Sequence, residues 1–277
     1  RSHFGSRPAP CCPKDSEPLL LMKDYSALGE MITLNASLPC YVARRADSTS
    51  RAVVMFSDMF GVHTGRHKQL CDDLAADGFI AVCPDFFVDA PYMKRAPAYG
   101  STLCCVANFI CGLASGSYAK NTKKHTWDAT LRVKVMDIVV PWLQSQGARD
   151  FAAVGFCWGS YGSQKCGAQP VFKCCASFPP ATDGFCKNVG EDDLQVCREA
   201  TCPQLMVVTK TESDRWQPGS VAHKASEEAT QGRLTWKLEG AASHGYMTRG
   251  DTKSAETMEA VKRGYKDMVA LFEANMA

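Results

Sequence analysis

Short apolar runs alternate with segments of helical spacing along most of the chain. The runs are rich in β-branched residues and end at polar residues, Pro or Gly, which is typical of buried strands. They lie at 51–58, 79–85, 151–154, 171–178 and 203–210, with an alternating, edge-like run at 233–240. Helical patterns lie at 65–78 and 127–147, after Gly159, after Pro218, and at 254–277, where Ser254 is the expected N-cap. This alternation predicts an α/β fold, with a mostly parallel sheet and helices on both faces.

Pro141 is expected to kink or restart the 127–147 helix. Residues 86–125 have weak periodicity and are expected to form loops and short helices, and residues 179–200 are expected to form loops.

Length and charge narrow the class of protein. The 277 residues carry a net charge of +2 and are 45% hydrophobic, which suits a single globular domain over 25–277. Residues 1–24 have no periodicity and are expected to form an extended N-terminal arm. The chain lacks the excess of basic residues that a nucleic-acid partner would favour. No apolar run approaches the ~20 residues of a membrane span. The sequence does not indicate an oligomeric state.

Cysteine usage points to a reducing compartment. There are 15 cysteines, an odd number, and several are adjacent pairs, which rarely bridge each other. No paired CxxC zinc pattern occurs, so no metal is expected. A chain of this length does not need disulfides, so we expect reduced thiols and a cytoplasmic location. An organelle stroma is the alternative if an N-terminal presequence is missing.

The stretch GFCWG, residues 155–159, has the form G-x-C-x-G between a predicted strand and a predicted helix. In that context it predicts a nucleophile elbow, a sharp turn that presents Cys157. The N-terminus of the following helix favours a thiolate and an oxyanion. The alternative is a core cysteine flanked by glycines at the end of a strand.

An elbow predicts an acid and then a histidine later in the chain. His223 and His244 follow Cys157, and His244 lies in a Gly/Ser-rich loop after a predicted strand, whereas His223 lies on a predicted helix. The loop after the 203–210 strand offers two acids. Asp214 is the predicted orienting acid, and Glu212 remains an alternative.

Four ordered motifs, FSDMFGVH, GFIAVCPDFF, GFCWGS and HGYMTRGD, resemble the dienelactone hydrolase family of α/β-hydrolases. The similarity covers roughly residues 50–275. It implies an α/β-hydrolase fold and a catalytic triad of Cys157, Asp214 and His244. It also implies an oxyanion hole formed by the backbone N–H groups of Met59 and Trp158.

The resemblance implies two further roles. Asp58 matches a family carboxylate, a Glu in the bacterial type, that holds the cysteine neutral and takes its proton when substrate binds; a helix or turn cap is the alternative. Arg249 is the candidate contact for a substrate carboxylate, because guanidinium matches carboxylate geometry. A surface ion pair with Asp251 is the alternative for Arg249.

The function expected from these residues is hydrolysis of small activated esters or lactones, as in a carboxymethylenebutenolidase, through an acyl-enzyme and without a cofactor. One alternative is a hydrolase-fold scaffold or binding protein with little catalysis. Another is a thiol protein that responds to oxidants, suggested by the cysteine content. A papain-like protease is disfavoured, because the string CGSCW is missing.

Overall fold

The computed structural model describes residues 25–45, 50–88 and 123–277. The predicted N-terminal arm and most of the loop region expected at 86–125 lie outside these residues. The described strands are β1 Glu30–Leu34, β2 Leu38–Ala43, β3 Arg51–Phe56, β4 Ile80–Pro84, β5 Asp150–Cys157, β6 Phe172–Pro180, β7 Gln204–Thr209 and β8 Leu234–Glu239. The described α-helices are α1 His67–Ala76, α2 Val140–Ser145, α3 Gly159–Gly167, α4 Thr182–Val189, α5 Asp193–Glu199, α6 Val221–Thr230, α7 Tyr246–Arg249 and α8 Ala255–Asn275.

All these strands join one sheet in the order β1-β2-β4-β3-β5-β6-β7-β8. The pairs β1–β2 and β2–β4 are antiparallel, and every pair from β4 to β8 is parallel. The predicted mostly parallel sheet is therefore confirmed, and so is the edge position of β8. The hairpin of β1 and β2 was not predicted, since β1 is largely exposed and carries little apolar pattern.

Helices cover both faces of the sheet, as predicted. Alternate residues of β3 point to opposite faces: Val54 and Phe56 pack in one apolar core with α2 and α3, while Val53 and Met55 pack in another with α1 and α8. The carboxyl ends of the parallel strands meet at one edge of the sheet. In open α/β sheets this edge is where ligand sites form.

The helical segment predicted at 127–147 is continuous, but it begins with π-helical turns, which are wider than those of an α-helix. Residues 127–131 and 133–139 form π-helical turns, and α-helical bonding begins at Val140. Pro141 lies in the first turn of α2. It has no N–H to donate, and the change from π-helical to α-helical bonding occurs next to it, which fits the restart among the two expected outcomes.

Residues 179–200, expected to be loops, contain α4 and α5. Both helices are short, and they bury only a few side chains each, among them Phe185 and Cys186 on α4 and Val196 and Cys197 on α5. So little apolar content at helical spacing gives a weak sequence signal. No helix in the described part of the chain is long and apolar enough to cross a membrane.

Candidate active site

Cys157 lies on a strained turn between β5 and α3. Its φ is +55°, and it is one of four non-glycine residues with positive φ among the described residues. That conformation is costly for a residue with a Cβ atom and persists only where the surroundings enforce it. The side chain is 5% exposed. The strand–turn–helix context predicted for the elbow is therefore confirmed.

Tight packing around the elbow requires its glycines. A Cβ atom on Gly155 would collide with the backbone of Gly159, and one on Gly162 would collide with the ring of Phe56. A Cβ atom on Gly159 would lie 2.6 Å from the carbonyl oxygen of Ser57 and closer still to that of Phe56. The start of α3 thus lies directly against the end of β3.

This close approach brings together the two segments predicted to form an oxyanion hole. Trp158 immediately precedes α3 and has helical φ and ψ, so its N–H belongs to the start of the helix, where amides lack intrahelical acceptors. Met59 lies in a turn closed by the hydrogen bond from the Gly61 N–H to the Asp58 carbonyl, 3.1 Å. Both positions fit the predicted role, which stays a prediction.

His244 is oriented by Glu212. The Nδ1 atom of His244 lies 2.8 Å from Oε2 of Glu212, and the two side chains are 9% and 7% exposed. A carboxylate only accepts, so Nδ1 carries the proton in the neutral ring and the lone pair is on Nε2. The backbone N–H of His244 donates to Oγ1 of Thr211 at 3.0 Å, which fixes the backbone next to the ring.

Glu212 is itself held by hydroxyl groups at the end of β7. Oγ1 of Thr209 donates to its Oε1 at 2.7 Å, and its backbone N–H donates to the Thr209 carbonyl at 3.2 Å. This tight turn directs the side chain of Glu212, the third residue after β7, back towards His244. A carboxylate with a fixed partner on each oxygen is well suited to orient an imidazole.

The predicted acid, Asp214, does not occupy this position. It is exposed and begins a 3₁₀ turn, Asp214–Trp216, and none of the described residues hydrogen-bonds to its carboxylate. The preference for Asp214 was therefore wrong, and the alternative, Glu212, is the partner of His244. The threonines in TKTE, residues 209–212, are the sequence signal that could have identified it.

Asp58 and Arg249 form a buried ion pair. Nε and Nη2 of Arg249 donate to the two carboxylate oxygens of Asp58 at 2.6 and 2.9 Å, and both residues are 2% exposed. Thr248 donates to the same carboxylate at 3.1 Å, and the guanidinium lies 4.3 Å from the centre of the Phe60 ring. Burial alone would raise the pKa of Asp58, but the charge and hydrogen bonds of Arg249, with smaller effects from His67 and the Phe60 N–H, hold it below its ordinary value.

This pairing changes the interpretation of both residues. Arg249 is buried against Asp58 and not paired with Asp251 at the surface, so that alternative was wrong. Asp58 also accepts the Phe60 N–H at 2.9 Å, which confirms the turn cap. In this arrangement Arg249 and Asp58 neutralise each other. The pair would have to open before Arg249 bound a substrate carboxylate or Asp58 took a proton from Cys157.

His67, which the sequence analysis did not assign, supports the turn that carries Met59. Its Nε2 accepts the Asp58 N–H at 3.1 Å, and its Nδ1 donates to the Thr64 carbonyl at 2.7 Å. These two partners fix the neutral tautomer, and burial lowers the pKa of His67 accordingly. A fully buried neutral ring thus holds the peptide next to the predicted oxyanion donor.

Replacing Arg249 by Met is expected to lower the free energy of unfolding by about 3–5 kcal/mol, because it leaves the Asp58 carboxylate buried without its cation. The double variant Asp58→Asn/Arg249→Met should recover much of that loss, since no buried charge remains. In wild type the stability contributed by the ionised, paired Asp58 is fully present above the carboxylate's unfolded pKa, about 4, and is lost as pH falls through the lower folded value. In Arg249→Met burial raises the pKa of Asp58 instead, so the difference between the two proteins should be largest at high pH and vanish at acid pH. Urea unfolding measures each variant.

Arg132→Met provides the matched control, because Arg132 pairs with Asp137 at 3.6 Å with both side chains 51% exposed. Exposed pairs contribute little, so this variant should stay close to wild type. An Arg249→Met protein as stable as wild type would contradict the buried pair.

Aromatic side chains surround Trp158, the residue that follows Cys157. The Trp158 ring lies 4.6 Å from that of Phe87, 6.1 Å from those of Phe86 and Phe185, and 6.4 Å from the His125 ring, all measured between ring centres. This apolar cluster lies at the carboxyl ends of β4 and β5. It would favour a substrate with an apolar body next to the reacting carbonyl.

The other nine cysteines in the described part are free thiols, and eight of them are buried. Burial raises the pKa of seven, to about 11 for Cys197; the others are Cys40, Cys83, Cys166, Cys174, Cys175 and Cys186. For Cys175, a hydrogen bond with Cys202 contributes most to that rise. Such thiols are poor nucleophiles at neutral pH.

Comparison with known proteins places this geometry in a family context. Residues 38–276 match the model of the dienelactone hydrolase family. A carboxymethylenebutenolidase homologue of Xenopus tropicalis is 28% identical over 138 residues, which are 49% of this chain and 48% of that protein. The chain thus spans about half the length of that curated relative. An uncharacterized AIM2 family protein of Schizosaccharomyces pombe is 24% identical, with 97% of this chain and all of that protein covered.

A solved structure shares the architecture. The putative dienelactone hydrolase of Klebsiella pneumoniae has a TM-score of 0.55 and 19% identity, covering 85% of this chain and 92% of that one. At this level of identity the likeness concerns the fold alone. It confirms the α/β-hydrolase fold predicted for the chain.

Proposed function

Because this chain belongs to the dienelactone hydrolase family, we propose that it hydrolyses small esters or lactones through an acyl-enzyme on Cys157. The observation that carries the proposal is that an elbow cysteine and an oriented imidazole both lie just after strands of the sheet, β5 and β8, at their carboxyl ends. Cys157 has the φ of +55° that the turn demands, and the His244–Glu212 hydrogen bond of 2.8 Å fixes the tautomer that places the lone pair on Nε2. A buried core cysteine would need neither feature.

In the first half of the reaction, the Cys157 sulfur attacks the ester carbonyl and its proton passes to Nε2 of His244. The backbone N–H groups of Met59 and Trp158 stabilise the negative oxygen, at about 3 kcal/mol for each donor. Collapse of this tetrahedral intermediate expels the alcohol, which takes the proton from His244. A thioester remains on Cys157. Glu212 stays ionised and stabilises the imidazolium throughout.

In the second half, His244 removes a proton from water, which attacks the thioester. The acid is released and Cys157 regains its proton. Because a thiolate is a good leaving group, the tetrahedral intermediate of an amide would expel sulfur before amine. The chemistry therefore favours activated esters, enol lactones and thioesters over peptides. Matching relatives named carboxymethylenebutenolidase homologues support this substrate class.

The alternatives have less support. A scaffold has no need for a strained cysteine or for a histidine and carboxylate that are both nearly buried. An oxidant-responsive protein needs reactive thiols, whereas burial raises the pKa of most described cysteines. Neither alternative accounts for the hydroxyl groups that hold Glu212.

The proposal is tested with a panel of p-nitrophenyl esters, enol lactones and matched anilides, using wild type and His244→Gln. We expect the wild type to turn over the esters and lactones but not the anilides. His244→Gln should lose at least about a hundredfold in kcat, because the general base is removed. A wild type with no turnover on any ester or lactone would favour the scaffold.

A further inference from the structure

Arg66, at the start of α1, inserts its side chain into the segment that follows His244. Nε donates to the Met247 carbonyl at 3.1 Å, Nη1 donates to that of Gly250 at 3.0 Å, and Nη2 donates to those of Met247, at 2.9 Å, and Tyr246. The backbone N–H of Arg66 donates to the Thr248 carbonyl at 3.0 Å. One residue thus binds carbonyl groups of four of the five residues 246–250.

Helix geometry leaves most of these carbonyls without partners; the exception is the carbonyl of Tyr246, which also accepts the Gly250 N–H at 3.2 Å. Helix α7, Tyr246–Arg249, is only one turn long, so all its carbonyls lie at the C-terminal end, where a cation is favourable. One helical turn has little stability of its own. Arg66 therefore supplies bonds that α7 cannot make internally.

The guanidinium is buried and has no ion pair with a carboxylate among the described residues. Arg66 is 4% exposed, and burial lowers its pKa to about 10, so it remains charged at neutral pH. Burying a cation against carbonyl dipoles alone is costly. An apolar residue would fill the same volume without that cost, which suggests that Arg66 is needed for the bonds it makes.

The backbone next to Arg66 reinforces the contact. Gly65 has a φ of +65°, and a Cβ atom there would lie 2.6 Å from the Thr248 carbonyl oxygen, so the two segments touch. The neighbouring residue, His67, holds the Asp58 N–H in the turn of Met59. Arg66 and His67, adjacent at the start of α1, thus fix the segment that follows His244 and the turn that carries Met59 relative to each other.

We propose that Arg66 is a positioning residue that sets the place of His244 relative to Cys157 by fixing α7 through its backbone carbonyls. This inference rests on the proposed function, because it assigns Arg66 a part in that reaction. His244 lies two residues before α7, so a shift of α7 moves the imidazole. A misplacement of about 1 Å can cost a hundredfold in rate.

The test compares Arg66→Lys and Arg66→Met with Arg233→Met as the matched control. Arg233 also binds helix-end carbonyls, those of Thr230 at 3.0 Å and Thr201 at 3.1 Å, but it lies at the end of α6. Both Arg66 variants should lose about tenfold to a hundredfold in kcat with a much smaller change in KM. Arg66→Lys keeps the charge but cannot span carbonyls of three residues, and it is the variant most expected to fold. Arg233→Met should keep the wild-type kcat.

A second readout does not require turnover. Iodoacetamide labelling of the peptide that contains Cys157 is followed by mass spectrometry between pH 5 and 10. An imidazole beside the thiol favours the thiolate. Displacement of His244 should therefore move the labelling curve of Arg66→Lys to higher pH by about one unit, which makes labelling at neutral pH about tenfold slower. Arg233→Met should follow the wild-type curve. A merely structural role of Arg66 would leave the labelling curve in place.

The outcomes separate the two proposals. If wild type turns over no ester, the proposed function fails, and the labelling curves alone decide the role of Arg66. If wild type is active, a folded Arg66→Lys with the wild-type kcat and labelling curve overturns the positioning role. A lowered kcat together with a shifted curve supports it.

Discussion

Replacing Cys157 by Ala is expected to lower kcat/KM for activated esters by at least about a thousandfold, because the proposed acyl-enzyme can no longer form. The fold should persist, since Ala keeps the single Cβ atom that already tolerates the φ of +55°. Cys157→Ser should also be strongly impaired, because a hydroxyl is far harder to deprotonate than a thiol and needs a more exact alignment with the base. Steady-state kinetics with p-nitrophenyl esters measure both variants.

Cys166→Ala is the matched control. Cys166 lies on the same strand–turn–helix unit and is fully buried, and burial raises its pKa well above the ordinary value. We expect nearly wild-type kcat/KM from this variant, with a small loss of stability for the missing sulfur atom. Wild-type turnover by Cys157→Ala, or a large loss in Cys166→Ala, would place the nucleophile elsewhere.

Replacing Glu212 by Gln is expected to lower kcat by about a hundredfold to ten-thousandfold, because the amide neither stabilises the imidazolium nor fixes the tautomer of His244. Asp214→Asn should leave kcat nearly unchanged, since the exposed Asp214 carboxylate does not contact His244. The two acids lie in the same loop, so the pair of isosteric variants isolates the identity of the acid. Kinetics on the same ester report kcat for each.

Glu212→Asp adds a geometric control. The charge remains, but the side chain is one methylene shorter, so the 2.8 Å bond to Nδ1 of His244 should lengthen and kcat should fall to an intermediate value. A double variant Glu212→Gln/Asp214→Asn should be no worse than Glu212→Gln alone. A larger loss in Asp214→Asn than in Glu212→Gln would restore Asp214 as the orienting acid.

The parallel part of the fold was predictable because each strand from β3 to β7 is buried on both faces and appears as an apolar run. The closing helix was equally clear: Ser254 accepts the Thr257 N–H at 3.2 Å, as its predicted N-cap role requires. Elements with little apolar patterning were not predicted. Strand β1 is mostly exposed, and α4 and α5 bury too few apolar side chains to show a helical period.

The structural setting of Cys157 and His244 was predictable because it depends on local order, whereas side-chain pairs between distant segments were not predictable. Cys157 and His244 follow from the elbow motif and chain order. The identity of the acid depends on a turn stabilised by threonine hydroxyl groups. That turn directs Glu212, and not the predicted Asp214, towards His244. The pairing of Asp58 with Arg249 joins residues 191 positions apart, and no local pattern reveals it. The same holds for Arg66, whose partners lie at 246–250.

Mass spectrometry of the protein quenched during turnover of an activated ester tests the central claim, an acyl-enzyme on Cys157, most directly. The account predicts a mass increase equal to one acyl group, located on the peptide that contains Cys157 and missing from Cys157→Ala. The adduct should be discharged by water in wild type and should persist longer in His244→Gln. An acyl group on another residue, or turnover by wild type with no acyl group on Cys157, would contradict it.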